Sequence, residues 1–224
     1  NTNNLNVTLG GDLVNNGTYT YGTNTTTFNG GSQTISGTTL SNFYNLTVSS
    51  STSLTVNNSF SVGKNLTINS GTLVLNNYGA SVAGNVLNNG AYLDNNIAGS
   101  GLILNGTTQQ QISGTGAYNR IELNNTSGAR ILTDLSLSSD IQLTRGVLDI
   151  GSHGLLLNQT SQIIPGNPFG TFNMIKTDGV SSSSGIRKYF GTGAQIFTFP
   201  LGVTGKYTPA IFDITQNDAA GYIN

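Results

Sequence analysis

Apolar and polar residues alternate along this chain in runs only three residues long. Leu46-Thr-Val48, Leu54-Thr-Val56, Phe60-Ser-Val62, Leu66-Thr-Ile68 and Leu73-Val-Leu75 follow one another every six to eight residues. Alternation over three residues puts two side chains on one face of a short strand. Gly, Asn and Ser fill the gaps, and these residues accept tight turns and left-handed backbone. Strands this short do not suit a sandwich of long hairpins. They suit a solenoid of about three strands and roughly 20 residues per coil, whose inward residues stack about 4.8 Å apart. The pattern therefore predicts an all-β chain: a right-handed parallel β-helix (β-solenoid) of roughly seven or eight coils, about 35 Å long by that spacing.

A longer period lies over the short one. Gly11-Asp-Leu-Val-Asn-Asn-Gly-Thr-Tyr19 matches Gly84-Asn-Val-Leu-Asn-Asn-Gly-Ala-Tyr92, and Gln33-Thr-Ile-Ser-Gly37 matches Gln110-Gln-Ile-Ser-Gly114. Asn65-Leu-Thr-Ile68 matches Asp140-Ile-Gln-Leu143. Three blocks recur in order at offsets of about 75 residues, with small slips of the kind turns absorb. Such a unit fits three long coils or four short ones.

The pattern changes near residue 160. All four prolines (Pro165, Pro168, Pro200 and Pro209) and nine of the eighteen aromatic residues lie beyond it. Pro165-Gly-Asn-Pro168 is a strong turn signal. The division expected is a solenoid over 1–164 and an incomplete β-sandwich-like or capping module over 165–224. Strands are predicted near 171–177, 186–190, 195–200 and 209–215, packed as a small antiparallel sheet. Aromatic residues there would cover the open end of the solenoid.

Composition narrows the function classes. Asn, Thr, Ser and Gly make up half of the 224 residues, 8% are charged and the formal net charge is −1. A hydrophobic fraction of 36% argues for a folded chain rather than a disordered one. Without cysteine there is no disulfide, thiolate nucleophile or Cys-zinc site. Balanced, sparse charge argues against nucleic acid as a partner. No run of about 18 apolar residues spans a membrane. Both ends look like interior sequence, so the chain reads as a piece of a longer one.

Val62-Gly-Lys-Asn-Leu-Thr-Ile-Asn-Ser-Gly-Thr-Leu-Val-Leu75, Val82 to Tyr92, Leu102 to Gly114 and Tyr118-Asn-Arg-Ile-Glu-Leu123 form a cycle. This order resembles repeats in very large Bacteroidota surface proteins exported by the type IX secretion system, such as the gliding-motility adhesins. Ile186-Arg-Lys-Tyr-Phe190, Phe197-Thr-Phe-Pro-Leu-Gly202 and Tyr207-Thr-Pro-Ala210 resemble a module that follows such solenoids. The resemblance implies a secreted, non-catalytic stalk at the bacterial cell surface, serving attachment or gliding. Its partners would be neighbouring domains of the same chain and surface polysaccharide. It implies no cofactor and no catalytic residue in the repeat.

The rival reading is a carbohydrate-binding or polysaccharide-degrading β-helix. Degradation needs clustered carboxylates or a bound cation. Asp134, Asp140 and Asp149, near Arg130 and Arg145, are the one acidic group that stacking could gather. Binding would use aromatic platforms, for which Tyr19, Tyr21, Tyr92 and Tyr118 are candidates. His153, the single histidine, is read as a turn residue in Gly151-Ser-His-Gly154. Gly63-Lys64 leads into a strand, not a helix, and is no phosphate loop. The Thr25-Thr26-Thr27 run invites an ice-binding reading, but its counterpart near Gly99-Ser100-Gly101 lacks threonine.

Overall fold

The structure is a computed structural model that describes residues 3–49, 51–178 and 184–223. Every regular element in it is a strand, and no helix is long and apolar enough to cross a membrane. The chain winds into a β-solenoid with three walls. On the first wall, ten strands from Val7–Leu9 to Leu201–Val203 stack in parallel, and Lys206–Tyr207 closes the edge antiparallel. The third wall stacks seven strands, from Ser41–Phe43 to Ile163–Pro165. The second wall is built in two parts. Five strands run from Leu13–Val14 to Ala91–Asp94, and then, past a gap, Leu135–Leu137, Gly154–Leu157 and Gly185–Phe190.

Register explains the three-residue alternation. Leu46 pairs with Leu66 and Leu66 with Val86, twenty residues apart each time. All three point inward and are buried, as are Phe60, Ala80, Leu102, Ile121 and Ile141 in one column of the third wall. Each buried Leu or Ile contributes roughly 1.5–3 kcal/mol over the exposed state. Each wall strand takes its backbone bonds from the coils before and after it, so few charges are needed. At the first turns the interior is aromatic, with Phe28 from the first wall and Phe43 and Phe60 from neighbouring columns of the third. Phe28, Phe43 and Phe60 meet edge-on at 6.3 and 6.0 Å.

The abundant Asn residues line the corners. The Asn45 side-chain carbonyl accepts the Asn65 amide N–H (3.1 Å), and Asn65 does the same for Asn85 (3.0 Å) and Asn85 for Gln111 (2.9 Å). Each side chain thus satisfies a backbone donor one coil further on, where the turn has interrupted the ladder.

The two copies of the long repeat use the same bonds. Gln33 donates to the carbonyls of Leu9 and Gly11 and accepts from Gly30; Gln110 donates to those of Val82 and Gly84 and accepts from Gly106. Asn15 and Asn88 each accept the N–H two residues on and donate to a carbonyl in the next coil. Gly37 and Gly114 lie against those asparagines at φ of +117° and +104°, where a Cβ would collide with the Asn15 or Asn88 carbonyl oxygen.

Yet the copies stand on different walls. Gln33 is on the second and Gln110 on the first. From Val7–Leu9 to its counterpart Gly79–Val82 the chain passes ten strands and one strandless stretch, Thr18–Tyr21, which lies against the third wall through Tyr19–Phe43 and Tyr21–Tyr44 ring contacts. Eleven wall segments make three and two-thirds turns. The unit matches neither three coils nor four, and each repeat turns its features to another wall.

The ladders cross residue 164 without interruption. Ile163–Pro165, Ile175–Thr177 and Gly185–Phe190 extend the three walls in parallel, so the strands expected near 171–177 and 186–190 are present but belong to the solenoid walls, the second with an antiparallel neighbour on its outer edge only. The Pro165–Pro168 turn is an enlarged corner: Ile141 still pairs with Ile163 and Leu148 with Ile175. The antiparallel part is smaller than expected. Gln195–Phe199 pairs with Ala210–Ile214, and Gly221–Ile223 closes on Gly185–Phe190. Phe190, Phe197, Phe199 and Phe212 form a chain of edge-on rings at 6.0, 4.8 and 5.2 Å over this end of the core.

Candidate functional site

The three aspartates are not brought together as an acid cluster. Asp134 lies at the corner between the first and second walls, Asp140 at the next corner, and Asp149 on the outer surface of the first wall. Each serves the backbone. Asp134 Oδ1 accepts the Gly154 N–H (2.8 Å), Asp140 Oδ1 that of Gln162 (2.8 Å) and Asp149 Oδ1 that of Gly151 (3.0 Å). In the preceding repeat unit Ser59 accepts the N–H of Gly79 and Asn65 that of Asn85, so neutral groups fill two of these posts. Asp149 is also paired with Lys176 at 2.9 Å, across the register of adjacent first-wall strands. Among the described residues no three His, Cys, Asp or Glu side chains are placed to hold a metal ion.

The tyrosines divide. Tyr92 and Tyr118 are core residues, 1% exposed, with rings 5.3 Å apart across the gap in the second wall. Burial raises both phenols well above their usual range, and for Tyr92 the Asp94 carboxylate adds to it. Neither ring is available to a ligand, which corrects the expectation for these two. Tyr19 packs its ring on Phe43 (5.8 Å) and bonds the Thr26 hydroxyl (3.2 Å). Tyr21 is half-buried beside Tyr44 at the first coils.

The same gap holds a buried polar group. Asp94 accepts the N–H groups of Asn96 (2.7 Å) and Arg120 (3.0 Å), while burial pushes its carboxyl up. Arg120 is 3% exposed and reaches Gln142 with its guanidinium. The corner loop from Asn95 to Ser100 crosses the gap, and Asn96 Nδ2 donates to Asp140 (3.1 Å). These groups bond one another and bridge the interrupted ladder.

His153 sits at a turn with Nδ1 3.8 Å from Asp134, beside an open groove of about 620 Å³ that also takes in Thr133, Leu132 and Arg187. Thr25 and Thr27 face outward but Thr26 is buried. Thr8, Thr27, Thr47 and Thr67 do form an axial column, which gives way to Leu87 at the next coil. The sequence reading missed Phe172, which is 85% exposed at the enlarged corner between hollows of about 420 and 310 Å³. Its one signal is an aromatic residue in a Pro- and Gly-rich turn.

Comparison with protein-family models, with curated proteins and with solved structures finds no match.

Proposed function

We propose that this chain is a structural stalk segment of a secreted bacterial cell-surface adhesin, serving surface attachment or gliding, and that it is not an enzyme. The observation that carries the reading is how the polar side chains are used. The Asn, Gln and Asp groups at the corners are committed to backbone donors and acceptors of neighbouring coils. Such a chain uses its polarity to build length. Ten parallel strands at about 4.8 Å make a stack roughly 43 Å long. The resemblance of Val62–Leu75 and Val82–Tyr92 to surface-adhesin repeats supports the same reading and supplies the export route.

The test is location. Antibodies raised against this chain should label the outer face of intact cells of its source, and external protease should remove the label. Label reached only after permeabilisation overturns the proposal.

A further inference from the structure

We propose that the enlarged corner around Phe172 is a binding site for a carboxylated polysaccharide, with one sugar ring stacked on Phe172. The corner runs from Gly166 to Asn173, between the third-wall strand Ile163–Pro165 and the first-wall strand Ile175–Thr177. It is firmly held. Asn167 Nδ2 donates to the Thr144 carbonyl (2.8 Å), Asn173 Nδ2 to that of Asn167 (2.8 Å), and the Gly146 N–H to that of Phe172 (3.0 Å). Gly170 and Asn173 also exchange backbone bonds (3.2 and 2.9 Å). A loop fixed at so many points nevertheless leaves a phenyl ring 85% exposed. Presenting a rigid aromatic face in this way lowers the ordering cost of binding.

The surroundings say what the face suits. The ring is a ridge between the two hollows, and Thr126 and Thr171 line both. Concave hollows of this size on either side fit a chain of linked rings laid across the ridge. In the larger hollow, Asn173 is 6% exposed and its Oδ1 has no hydrogen-bond partner among the described residues. Thr126 and Thr171 also line this hollow, while the Thr144 hydroxyl beside them is committed to Glu122 (2.8 Å) and Gln142 (3.0 Å). Aromatic face plus hydroxyl and amide rim matches a sugar, whose ring has an apolar C–H face and a polar edge.

Charge selects the carboxylated class. Arg145 lines the larger hollow, is exposed and makes no ion pair among the described residues. In the smaller hollow Asp149 is neutralised by Lys176. Glu122 lines neither hollow and is held by the Thr144 hydroxyl (2.8 Å), so among the lining residues the charge without an ion pair is a guanidinium, whose planar fork takes a carboxylate in two parallel bonds. This site uses none of the tyrosines and stands independently of the stalk reading, whose test is cell-surface location.

Affinity electrophoresis of the whole chain tests it, with alginate as the carboxylated polysaccharide and dextran as the uncharged control. Alginate should retard the chain and dextran should not. Phe172→Ala should weaken retardation by about tenfold, a stacking contact's worth, and Phe172→Trp should preserve it. Arg145→Gln should weaken it and make it less sensitive to salt. Phe172 is exposed, so its variants should unfold at the wild-type denaturant midpoint, which separates lost binding from lost fold. No retardation by alginate, or retardation unchanged in Phe172→Ala, overturns the proposal. So does equal retardation by dextran, or sedimentation showing that the exposed ring serves to pair two copies of the chain.

Discussion

At the residue scale the governing question is how a nearly uncharged chain satisfies corner backbone groups. Side-chain amides do most of this, and Asp stands in where geometry allows. Asp140→Asn should therefore change stability by no more than about 0.5 kcal/mol, because Asn65 fills the equivalent post. Asp140→Ala should cost about 1 kcal/mol by leaving the Gln162 N–H without its acceptor. Urea midpoints of the two variants check the pair. Lys188, like Arg120 and Asp94, is a buried ionisable group in this sparsely charged chain. It is 2% exposed in the column that contains Leu137 and Leu157, and it donates to the carbonyls of Asn158 (2.6 Å) and Gln159 (2.7 Å). Burial lowers its pKa from 10.5 to about 8, with Asp140 opposing weakly. The folded state thus holds fewer protons than the unfolded state between pH 8 and 10.5, so stability gains as pH rises through that window. Above about pH 10 the buried Tyr92 and Tyr118 act the other way, since their folded pKa values are raised and the unfolded phenols ionise first. Urea unfolding should show greater stability at pH 9.5 than at pH 7.5, and Lys188→Met should flatten the difference.

At the element scale the strands were legible and their partners were not. Three-residue alternation fixes which side chains point inward, and Leu46, Val48, Leu66 and Ile68 are all buried as it requires. It suggests about three segments per turn but does not fix how many segments the 75-residue unit holds, so the phase of that unit was hidden. It was hidden again after residue 164, where prolines and aromatics suggested a new module. A solenoid admits long insertions at corners because only the wall segments are in register, and Ile163, Ile175 and Ile186 keep theirs. Tyr92 and Tyr118 misled for a related reason. A polar-tipped aromatic near a turn looks like a surface residue, but here the broken second wall leaves room inside for two rings tilted against each other. Phe172 lay in no periodic pattern. The glycines of the repeat give the sharpest test at this scale. Gly37→Ala and Gly114→Ala should each destabilise by more than about 1 kcal/mol, since both combine positive φ with a collision against backbone. Gly31→Ala, with no atom within 4 Å of the added carbon, should have little effect. Thermal unfolding of the three variants separates them.

At the scale of the whole molecule the unit of three and two-thirds turns has a structural consequence. A repeat that returned to the same wall would stack its Gln and Asn corner bonds along one edge. This one carries them from the second wall to the first, with Asn15, Gln33 and Gly37 giving way to Asn88, Gln110 and Gly114. That works only if the three walls are interchangeable hosts, which their inner columns of Leu, Ile, Val and Phe allow. The molecule should then accept a further unit. Inserting a second copy of residues 16–88 after Asn88 places each copied segment one repeat on, against a coil whose corner bonds its counterpart already makes. Every downstream strand turns to a new wall, and the aromatic cover stays with the coil it packs on. The enlarged chain should be soluble and longer by roughly 18 Å, eleven segments at about 4.8 Å per three-segment turn. Small-angle scattering gives that length directly. Aggregation, or an unchanged maximum dimension, would show that each wall needs its own sequence and that the repeat is a sequence likeness without structural equivalence.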